Sequence, residues 1–455
     1  MSCWKTKNPR STITSNKRKP SICLLILGAL MLAGLMSCEM APCQDIQQNF
    51  ERTVRAEPGF QGLTDQGAPH LAMAIRLDLL NDLTGAILNS SVGQALAHRG
   101  SVSISGQNVA YGITSTGANL RLDASGQCPT CLRIRGDLDA RVEATLPIVG
   151  TQASPLSGSI DWTIPLAVAR ESDGKVAVFI DTAQALRMGV PRIQNGALQA
   201  LPQQWRGLVE SALLPELASR IANELPPLRL FGFETPNLGL GGLEISPALF
   251  AFDGPSNALV LGIRTNLPVA ETGVSQGDLL SALTLGEGQN VALGVQPAAL
   301  VSAVRIGMQQ NRIARRYNIN GQANRNGTAH AVVDRFRVVP QGGQNSALGL
   351  DLDFRLFNFG SGFGCFSMNG NALSRLQVQN GRVELAVEGV NFSGSALADA
   401  ANWGSAHFIE QTQLMVSRTL NEDMVFSPEV GMSLRGDQVS TAAGMIVLRG
   451  AGRAQ

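Results

Sequence analysis

The sequence predicts an α+β fold of two similar lobes, and three observations lead to that prediction. Short segments that alternate apolar and polar residues recur along the chain, as in antiparallel strands, while a few segments repeat apolar residues at helical spacing. The order of helix, several strands, long helix and two strands occurs twice. From Cys38 onward the chain has 418 residues, which is enough for two lobes with substantial cores.

The N-terminal segment has the pattern of an export signal. Six basic residues and no acidic residue precede the uncharged run 21–37, which is short for a stable span of about 20 residues. The end of this run, Leu35-Met36-Ser37-Cys38, resembles the lipobox that signal peptidase II recognises. That resemblance implies a signal peptide over 1–37 and a diacylglycerol on Cys38. The alternatives are an ordinary signal peptide and an uncleaved anchor, and every alternative places the remaining chain outside the cytoplasm.

The exported part is mildly acidic. Removal of 1–37 leaves 30 Lys and Arg against 35 Asp and Glu, a net charge of −5. This balance does not favour nucleic acid as a partner. Glu39 follows Cys38 where an Asp is associated with inner-membrane retention, so we expect attachment to the outer membrane of a diderm bacterium, on its periplasmic or surface face.

The pattern divides the chain into a polar tether over 38–70, a first lobe over 71–267, a linker over 268–287 and a second lobe over 288–455. In the first lobe we predict strands near 102–109, 119–122, 132–146, 158–169, 175–180, 243–252 and 258–265. In the second lobe we predict strands near 329–339, 348–357, 373–379, 383–390, 430–435 and 443–448. Hairpin turns are expected at Ser172-Asp173-Gly174 and at Asn380-Gly381.

Four of the seven cysteines lie beyond Cys38 in the exported chain. Cys128 and Cys131 form a CxxC pair between alternating segments, which favours a structural disulfide at a hairpin over a redox site. The redox alternative requires a helix N-terminus in a thioredoxin-like setting. Cys365 is expected to be buried or paired, and the partners of Cys43 and Cys365 stay open.

The long helix of the first lobe carries a family resemblance. The stretch from Trp205 to Leu228 runs through Pro215, Pro226 and Pro227 into a strand pattern, and it resembles the closing helix of the tubular lipid-binding (TULIP) superfamily. This resemblance implies two pseudo-repeated lobes, each a highly twisted antiparallel sheet wrapped around a long helix, with an apolar groove for acyl chains. The acidic net charge and the cysteine pair within one hairpin depart from the bactericidal members of that superfamily.

A groove between curled sheet and helix would be aliphatic, because Tyr occurs only twice and Leu, Val and Ala abound. Such a lining suits a lipid or another hydrophobic small molecule, whose binding follows the apolar area removed from water. The groove candidates, chosen by helical spacing, are Leu80, Leu83, Ile87, Leu208, Leu217, Ile221, Leu300, Val304, Met308 and Met415. The alternatives are a filled core and a structural lipoprotein that presents its lobes to protein partners without a ligand.

Catalytic and metal sites are not expected. Asp351 and Asp353 alternate with Leu350 and Leu352, which places both carboxylates on the solvated face of a strand. The chain has no Gly-x-Ser-x-Gly elbow, and its four histidines lie at no spacing that would complete a zinc site with the cysteines. We therefore expect a binding protein without cofactor or enzymatic activity. An envelope hydrolase would require clustered polar residues in a cleft.

Overall fold

The structure is a computed structural model that describes residues 43–63, 67–104, 107–126, 128–146, 150–181, 184, 192–195, 214–224, 227–233, 240–269, 275–318, 322–339, 347–359, 365–393, 410, 424–425 and 431–454. The helices are α1 (Cys43–Arg55), α2 (Leu77–Leu96), α3 (Leu214–Glu224), α4 (Gln276–Ala282) and α5 (Pro297–Gln309). The strands are β1 (Leu71–Arg76), β2 (His98–Ile104), β3 (Gln107–Ala124), β4 (Cys131–Leu146), β5 (Gly150–Arg170), β6 (Val176–Ile180), β7 (Arg192–Asn195), β8 (Leu228–Phe233), β9 (Ile245–Asp253), β10 (Ala258–Thr265), β11 (Val291–Val295), β12 (Arg316–Tyr317), β13 (Ala329–Val339), β14 (Ala347–Asn358), β15 (Phe366–Gln379), β16 (Arg382–Ser393), β17 (Met424–Val425), β18 (Gly431–Ala442) and β19 (Met445–Ala454).

Three antiparallel sheets make up most of the part of the chain that the structure describes. The first-lobe sheet has the order β2-β3-β4-β5-β6-β8, with β7 paired to β5, and the second-lobe sheet has the order β12-β13-β14-β15-β16. Both are curled half-barrels. With the helices, this architecture agrees with the predicted α+β class. None of the described helices combines the length and apolar character needed to cross a membrane.

The third sheet joins the two halves of the chain. Its order is β17-β18-β19-β11-β1-β10-β9, and at its centre β1 lies antiparallel to β11, with Leu71 opposite Val295 and Ile75 opposite Val291. The strands beside this pair follow one scheme, because β10 and β9 flank β1 as β19 and β18 flank β11. Both β1 and β11 lead directly into a helix, α2 and α5 respectively. The two repeats predicted from the element order therefore contribute equivalent strands to one central sheet.

The central strands are buried on both faces, so their sequences are nearly continuous apolar runs. All eight residues of β10 and all five of β11 are buried. Small residues such as Ala74 and Ala292 face the short helix α4, and larger ones such as Ile75 and Leu293 join the main core. Helix α4 lies within the predicted linker 268–287. Its N-terminus is a capping box, in which the amide of Asp278 donates to Ser275 Oγ at 3.1 Å and the Asp278 carboxylate accepts from the Ser275 amide at 3.2 Å.

The second-lobe sheet confirms the predicted alternation. In β14, Leu350, Leu352 and Phe354 are buried, whereas Asp351 and Asp353 point to the other face. There the two carboxylates bind arginines of β13. Arg337 Nη2 lies 2.8 Å from Asp351 and 3.0 Å from Asp353, and Arg335 Nε lies 2.5 Å from Asp353. The predicted Asn380-Gly381 turn is confirmed as well, since both residues have positive φ between β15 and β16.

The segment predicted as a tether, 38–70, instead contains helix α1. Two apolar residues one helical turn apart, Ile46 and Phe50, are buried in a cluster with Val332 and Phe357 of the second-lobe sheet. A disulfide joins Cys43 at the start of the helix to Cys365. The polar composition of this stretch concealed a short apolar stripe that is sufficient to pack one face of the helix.

Candidate functional site

An apolar crevice in the first lobe is the described feature closest to the predicted groove. It lies between helices α2 and α3 and strands β4 and β5, and it has a volume of about 20 Å³. Its lining consists of aliphatic side chains and one glycine, contributed by Leu96, Leu138, Ala140, Leu156, Gly158, Leu214 and Leu217.

Two small residues of the sheet leave the crevice open. In the register of β4 and β5, Leu138 lies opposite Gly158, and Ala140 lies opposite Leu156. Each cross-strand pair thus combines one large and one small side chain. Glycine adds no side chain and alanine adds only a methyl group. The helices therefore pack on the leucines, and a gap remains above Ala140 and Gly158.

Polar contacts position the two helices against the sheet at either side of the crevice. On α2, the amide of Asn81 bonds both backbone groups of Leu122 in β3, and Asn89 Oδ1 accepts from the amide of Leu120 at 2.8 Å. On α3, Arg220 bonds the hydroxyl side chain of Tyr111, and burial raises the pKa of that tyrosine. The crevice is therefore bounded by helices that are tied to β3, while its own lining is apolar.

The size and chemistry of the crevice limit what it holds. About 20 Å³ accommodates roughly one water molecule, and an aliphatic lining offers that water no hydrogen bonds. An acyl chain is far larger, so α3 would have to move away from β4 and β5 to admit one. The residues that precede α3, 196–213, lie outside the described part of the chain.

The described groove candidates are buried in one core. Leu80, Leu83, Leu217, Ile221, Leu300, Val304 and Met308 belong to a single apolar cluster that runs through both lobes, and Ile87 packs against it. Among these described candidates, Leu217 lines the crevice. Leu208, Met415 and the predicted lipidation site Cys38 lie outside the described residues, and their roles stay predictions.

In the second lobe, helix α5 is packed on more than one face. Leu300, Val304 and Met308 join the main core, whereas Ala299, Ala303 and Ile306 on the other side contact a second apolar cluster with Leu240 and Leu267. A helix that is apolar around most of its circumference is a core helix. The spacing that predicted a groove face in this lobe corresponds to core packing at the described positions.

Sequence reasoning missed most of the crevice lining. Leu138 and Ala140 fall in the predicted strand 132–146 and Gly158 begins the predicted strand 158–169, whereas Leu156 lies in neither. A signal was present, since a glycine inside a strand pattern marks a position without a side chain to pack. Which residue of the neighbouring strand faces that glycine depends on the register.

A larger cavity, of about 360 Å³, lies between α1 and the second-lobe sheet. Two of its arginines are bound within the second lobe: Arg355 pairs with Asp334 at 2.8 Å, and Arg305 donates to the carbonyls of Val333 and Asp334 at 3.0 and 2.7 Å. Glu57, also at this cavity, pairs with Arg315. Of these contacts, the Glu57–Arg315 pair joins the segment after α1 to the second lobe.

The four described cysteines form two disulfides. Cys128 and Cys131 are bridged in the connection between β3 and β4, with a Cα–Cα distance of 5.2 Å. Cys43 and Cys365 are bridged with a Cα–Cα distance of 5.0 Å across 322 residues of sequence. Disulfides of this kind persist in oxidising compartments, outside the cytoplasm.

Comparison with known proteins finds distant structural similarity. No known protein family matches the sequence, and no curated protein sequence matches it. Among solved structures, lipopolysaccharide binding protein is similar with a TM-score of 0.37 and 10% identity, over 85% of this chain and 99% of that chain. P47 from Clostridium botulinum A2 has a TM-score of 0.36 and 10% identity, over 86% of this chain and 98% of that chain. P47 of Clostridium botulinum E1 has the same TM-score and identity over 84% and 99%. At this distance the similarities do not assign the chain to a family.

Proposed function

We propose that this protein is exported to the envelope of a diderm bacterium, is anchored by a lipid on Cys38, and binds a lipid-like ligand in its first lobe. The observation that carries the binding proposal is the crevice, whose lining of six aliphatic residues and Gly158 lies between α2, α3, β4 and β5. A guest at this place would meet apolar atoms on every side.

Lipid acyl chains fit this chemistry better than polar metabolites do. Each methylene group that leaves water contributes about 0.8 kcal/mol, and no hydrogen-bond donor of the lining has to be satisfied. Polar ligands would lose their hydration without replacement, which is costly. Entry requires α3 to move away from the sheet. The ion pair Glu216–Arg220 lies within α3 and would move with it, whereas the contact of Arg220 with Tyr111 of β3 would have to break.

The lipid anchor would supply the second part of the function. It confines the protein to a membrane surface and raises its encounter rate with lipids, while the crevice shields acyl chains from water. The two disulfides support export. Outer-membrane attachment rests on the lipobox-like Leu35-Met36-Ser37-Cys38 and on Glu39. No cofactor, nucleic-acid partner or catalytic step is part of this proposal.

The test is lipid analysis of protein purified from envelope fractions, by mass spectrometry of organic extracts. Ala140→Leu fills the crevice from β4, whereas Ala153→Leu makes the same change at an exposed position of β5. We expect near-stoichiometric lipid with the wild type and with Ala153→Leu, and little lipid with Ala140→Leu. Equal lipid in both variants would rule out the crevice as the binding site.

A ligand-free wild type would instead favour the alternative function, a structural lipoprotein whose lobes contact protein partners. One observation points in that direction: Leu300, Val304 and Met308 of the second lobe are buried as core residues, at most 3% exposed. The second lobe would then serve as a packed scaffold.

A further inference from the structure

We infer that the lipid anchor holds the outer tip of the second lobe at the membrane surface and leaves the first lobe, with its crevice, free to reach away from it. The inference rests on the lipid anchor of the proposed function. The orientation of the protein at the bilayer follows from the position of helix α1.

The first step is the short distance between the anchor and a fixed point. Cys43 follows Cys38 by five residue steps, and Cys43 is bridged to Cys365. A fully extended chain spans at most about 3.3–3.6 Å per residue, so the bridge lies within about 17 Å of the lipidated residue. A bilayer that holds the diacylglycerol therefore lies close to Cys365.

The second step is the docking of α1 beyond the disulfide. Phe50 packs with His330 at a ring distance of 4.5 Å and with Phe357 at 5.5 Å. Just beyond the C-terminal end of the helix, Glu57 forms an ion pair with Arg315, in which the two side chains are only 4% and 12% exposed. The helix is thus held to the second lobe along its length.

The third step is where Cys365 lies in the lobe. It directly precedes β15, a strand of 14 residues, or about 45 Å when extended. The opposite end of β15 turns at Gly381, whose carbonyl accepts a hydrogen bond at 2.9 Å from the amide of Gly436 in β18. Since β18 belongs to the central sheet, Cys365 lies at the end of the lobe that is remote from that sheet.

The first lobe extends from a different strand of the central sheet. The loop before β4 contacts β9, where the amide of Phe252 donates to the carbonyl of Pro129 at 3.1 Å. From there β4 runs 16 residues to Leu146, beside the hairpin of β2 and β3 that carries Asn108. Between β9 and β18 lie four strands, β10, β1, β11 and β19. Asn108 therefore lies at the tip of the first lobe, remote from the Cys43–Cys365 disulfide.

The residues around the anchored tip indicate contact with head groups and no insertion. The first two turns of α1 expose Gln44, Asp45, Gln47 and Gln48, which are polar. Without docking, the chain from Cys38 to β1 would span up to about 110 Å, and either lobe could approach the membrane. Docking of α1 removes that freedom.

The experiment measures the distance of each tip from a bilayer. Full-length lipidated protein carries a donor dye on a bioorthogonal amino acid at Ser367 or at Asn108, both of which are exposed. It is reconstituted into vesicles of phosphatidylethanolamine and phosphatidylglycerol that contain a rhodamine-labelled lipid as the acceptor. We expect several-fold stronger quenching of the donor at Ser367 than at Asn108.

Two variants test the role of the docked helix. Cys43→Ser/Cys365→Ser combined with Phe50→Ala and with Glu57→Leu/Arg315→Met removes the bridge, the aromatic contact and the ion pair that hold α1, and it is expected to remove most of the difference between the two positions. Cys128→Ser/Cys131→Ser removes the other disulfide, and the difference should persist. A difference that survives release of α1 would overturn the docking argument.

The failures of the two proposals are distinguishable. Equal quenching at both positions, or stronger quenching at Asn108, on vesicle-bound protein would overturn the inference while the anchor stands. Protein that does not bind vesicles would overturn the anchor and the inference with it. Lipid extraction from the same preparations reports on the crevice independently of either outcome.

Discussion

Glu57 and Arg315 form a two-point ion pair between the segment after α1 and the second lobe, with Nη1–Oε1 and Nη2–Oε2 distances of 3.0 and 2.5 Å. The side chains are 258 residues apart in sequence and almost fully buried. A parallel pair of charge-assisted hydrogen bonds fixes both position and angle. This contact and the Cys43–Cys365 bridge hold opposite ends of the same docked segment.

Arg315→Met should strongly destabilise this contact. The substitution leaves the Glu57 carboxylate buried without its partner, and loss of one member of a buried pair costs about 3–5 kcal/mol. Replacement of both residues, Glu57→Leu/Arg315→Met, should recover most of that loss, because it leaves no buried charge. Urea unfolding of the two variants measures the difference. A double variant as unstable as the single one would contradict a buried-charge origin of the effect.

The two disulfides should contribute unequally to stability. Cys43→Ser/Cys365→Ser opens a loop of 322 residues, whereas Cys128→Ser/Cys131→Ser opens a loop of three. Because the entropy that a cross-link removes from the unfolded chain grows with loop length, we expect losses of about 3–5 kcal/mol and at most about 2 kcal/mol. Denaturant titration under oxidising conditions compares the pair. Equal losses in the free energy of unfolding would show that the entropy of the unfolded chain is not the main contribution of these disulfides to stability.

Stability should depend on pH through His330. Burial, with Arg316 and Arg315 nearby, lowers the pKa of this histidine to about 4. The unfolded chain binds a proton near pH 6.5, so the contribution to the free energy of unfolding is full above that pH and declines as pH falls toward 4.

His330→Phe should weaken this pH dependence. Nδ1 of His330 is buried and has no hydrogen-bond partner among the described residues, so an aromatic ring without that nitrogen should cost little at neutral pH. The ring stacks on Phe359 at 4.3 Å and can be replaced in kind. Burial also lowers the pKa of His70 to about 4, so part of the pH dependence of stability should remain in the variant. Thermal unfolding of the wild type and of His330→Phe between pH 4 and 8 measures this difference. If the melting temperatures of both proteins change with pH in the same way, His330 does not contribute to the pH dependence.

Leu217→Ala should separate packing from ligand binding. Deletion of a buried leucine side chain costs about 2–5 kcal/mol and enlarges the crevice. Ile221→Ala lies one turn further along the same helix, is fully buried and does not line the crevice. Both variants should lose similar stability, but only Leu217→Ala should alter the amount or chain length of extracted lipid. The same lipid profile in both would contradict a ligand at Leu217.

Local patterns predicted much of the fold. Alternation placed the strands and faces of β14 correctly, and Asn380-Gly381 identified a turn, because both depend on the geometry of a few neighbouring residues. The capping box at Ser275 and Asp278 was readable in the same way but was assigned to a linker. Helix α1 was missed because its apolar stripe is formed by two residues in a polar stretch.

The candidate site was less predictable than the fold. Helical spacing selected Leu80, Ile221 and Val304, which are core residues, since a stripe that faces a sheet looks the same whether the space is filled or open. The crevice depends on Ala140 and Gly158 meeting Leu156 and Leu138 across two strands. Spacing within a single strand carries no information on those partners.

By itself, the sequence determined the α+β class, the alternating strands and the repeated element order, because each of these patterns lies in residues that are close along the chain. It also predicts an export signal at the N-terminus. Only the tertiary structure decided that β1 pairs with β11, that Cys43 is bridged to Cys365, and where the crevice lies. These contacts join residues far apart in sequence. They are selected by the packing of the whole molecule, since burial of one apolar face depends on which other face is available to cover it.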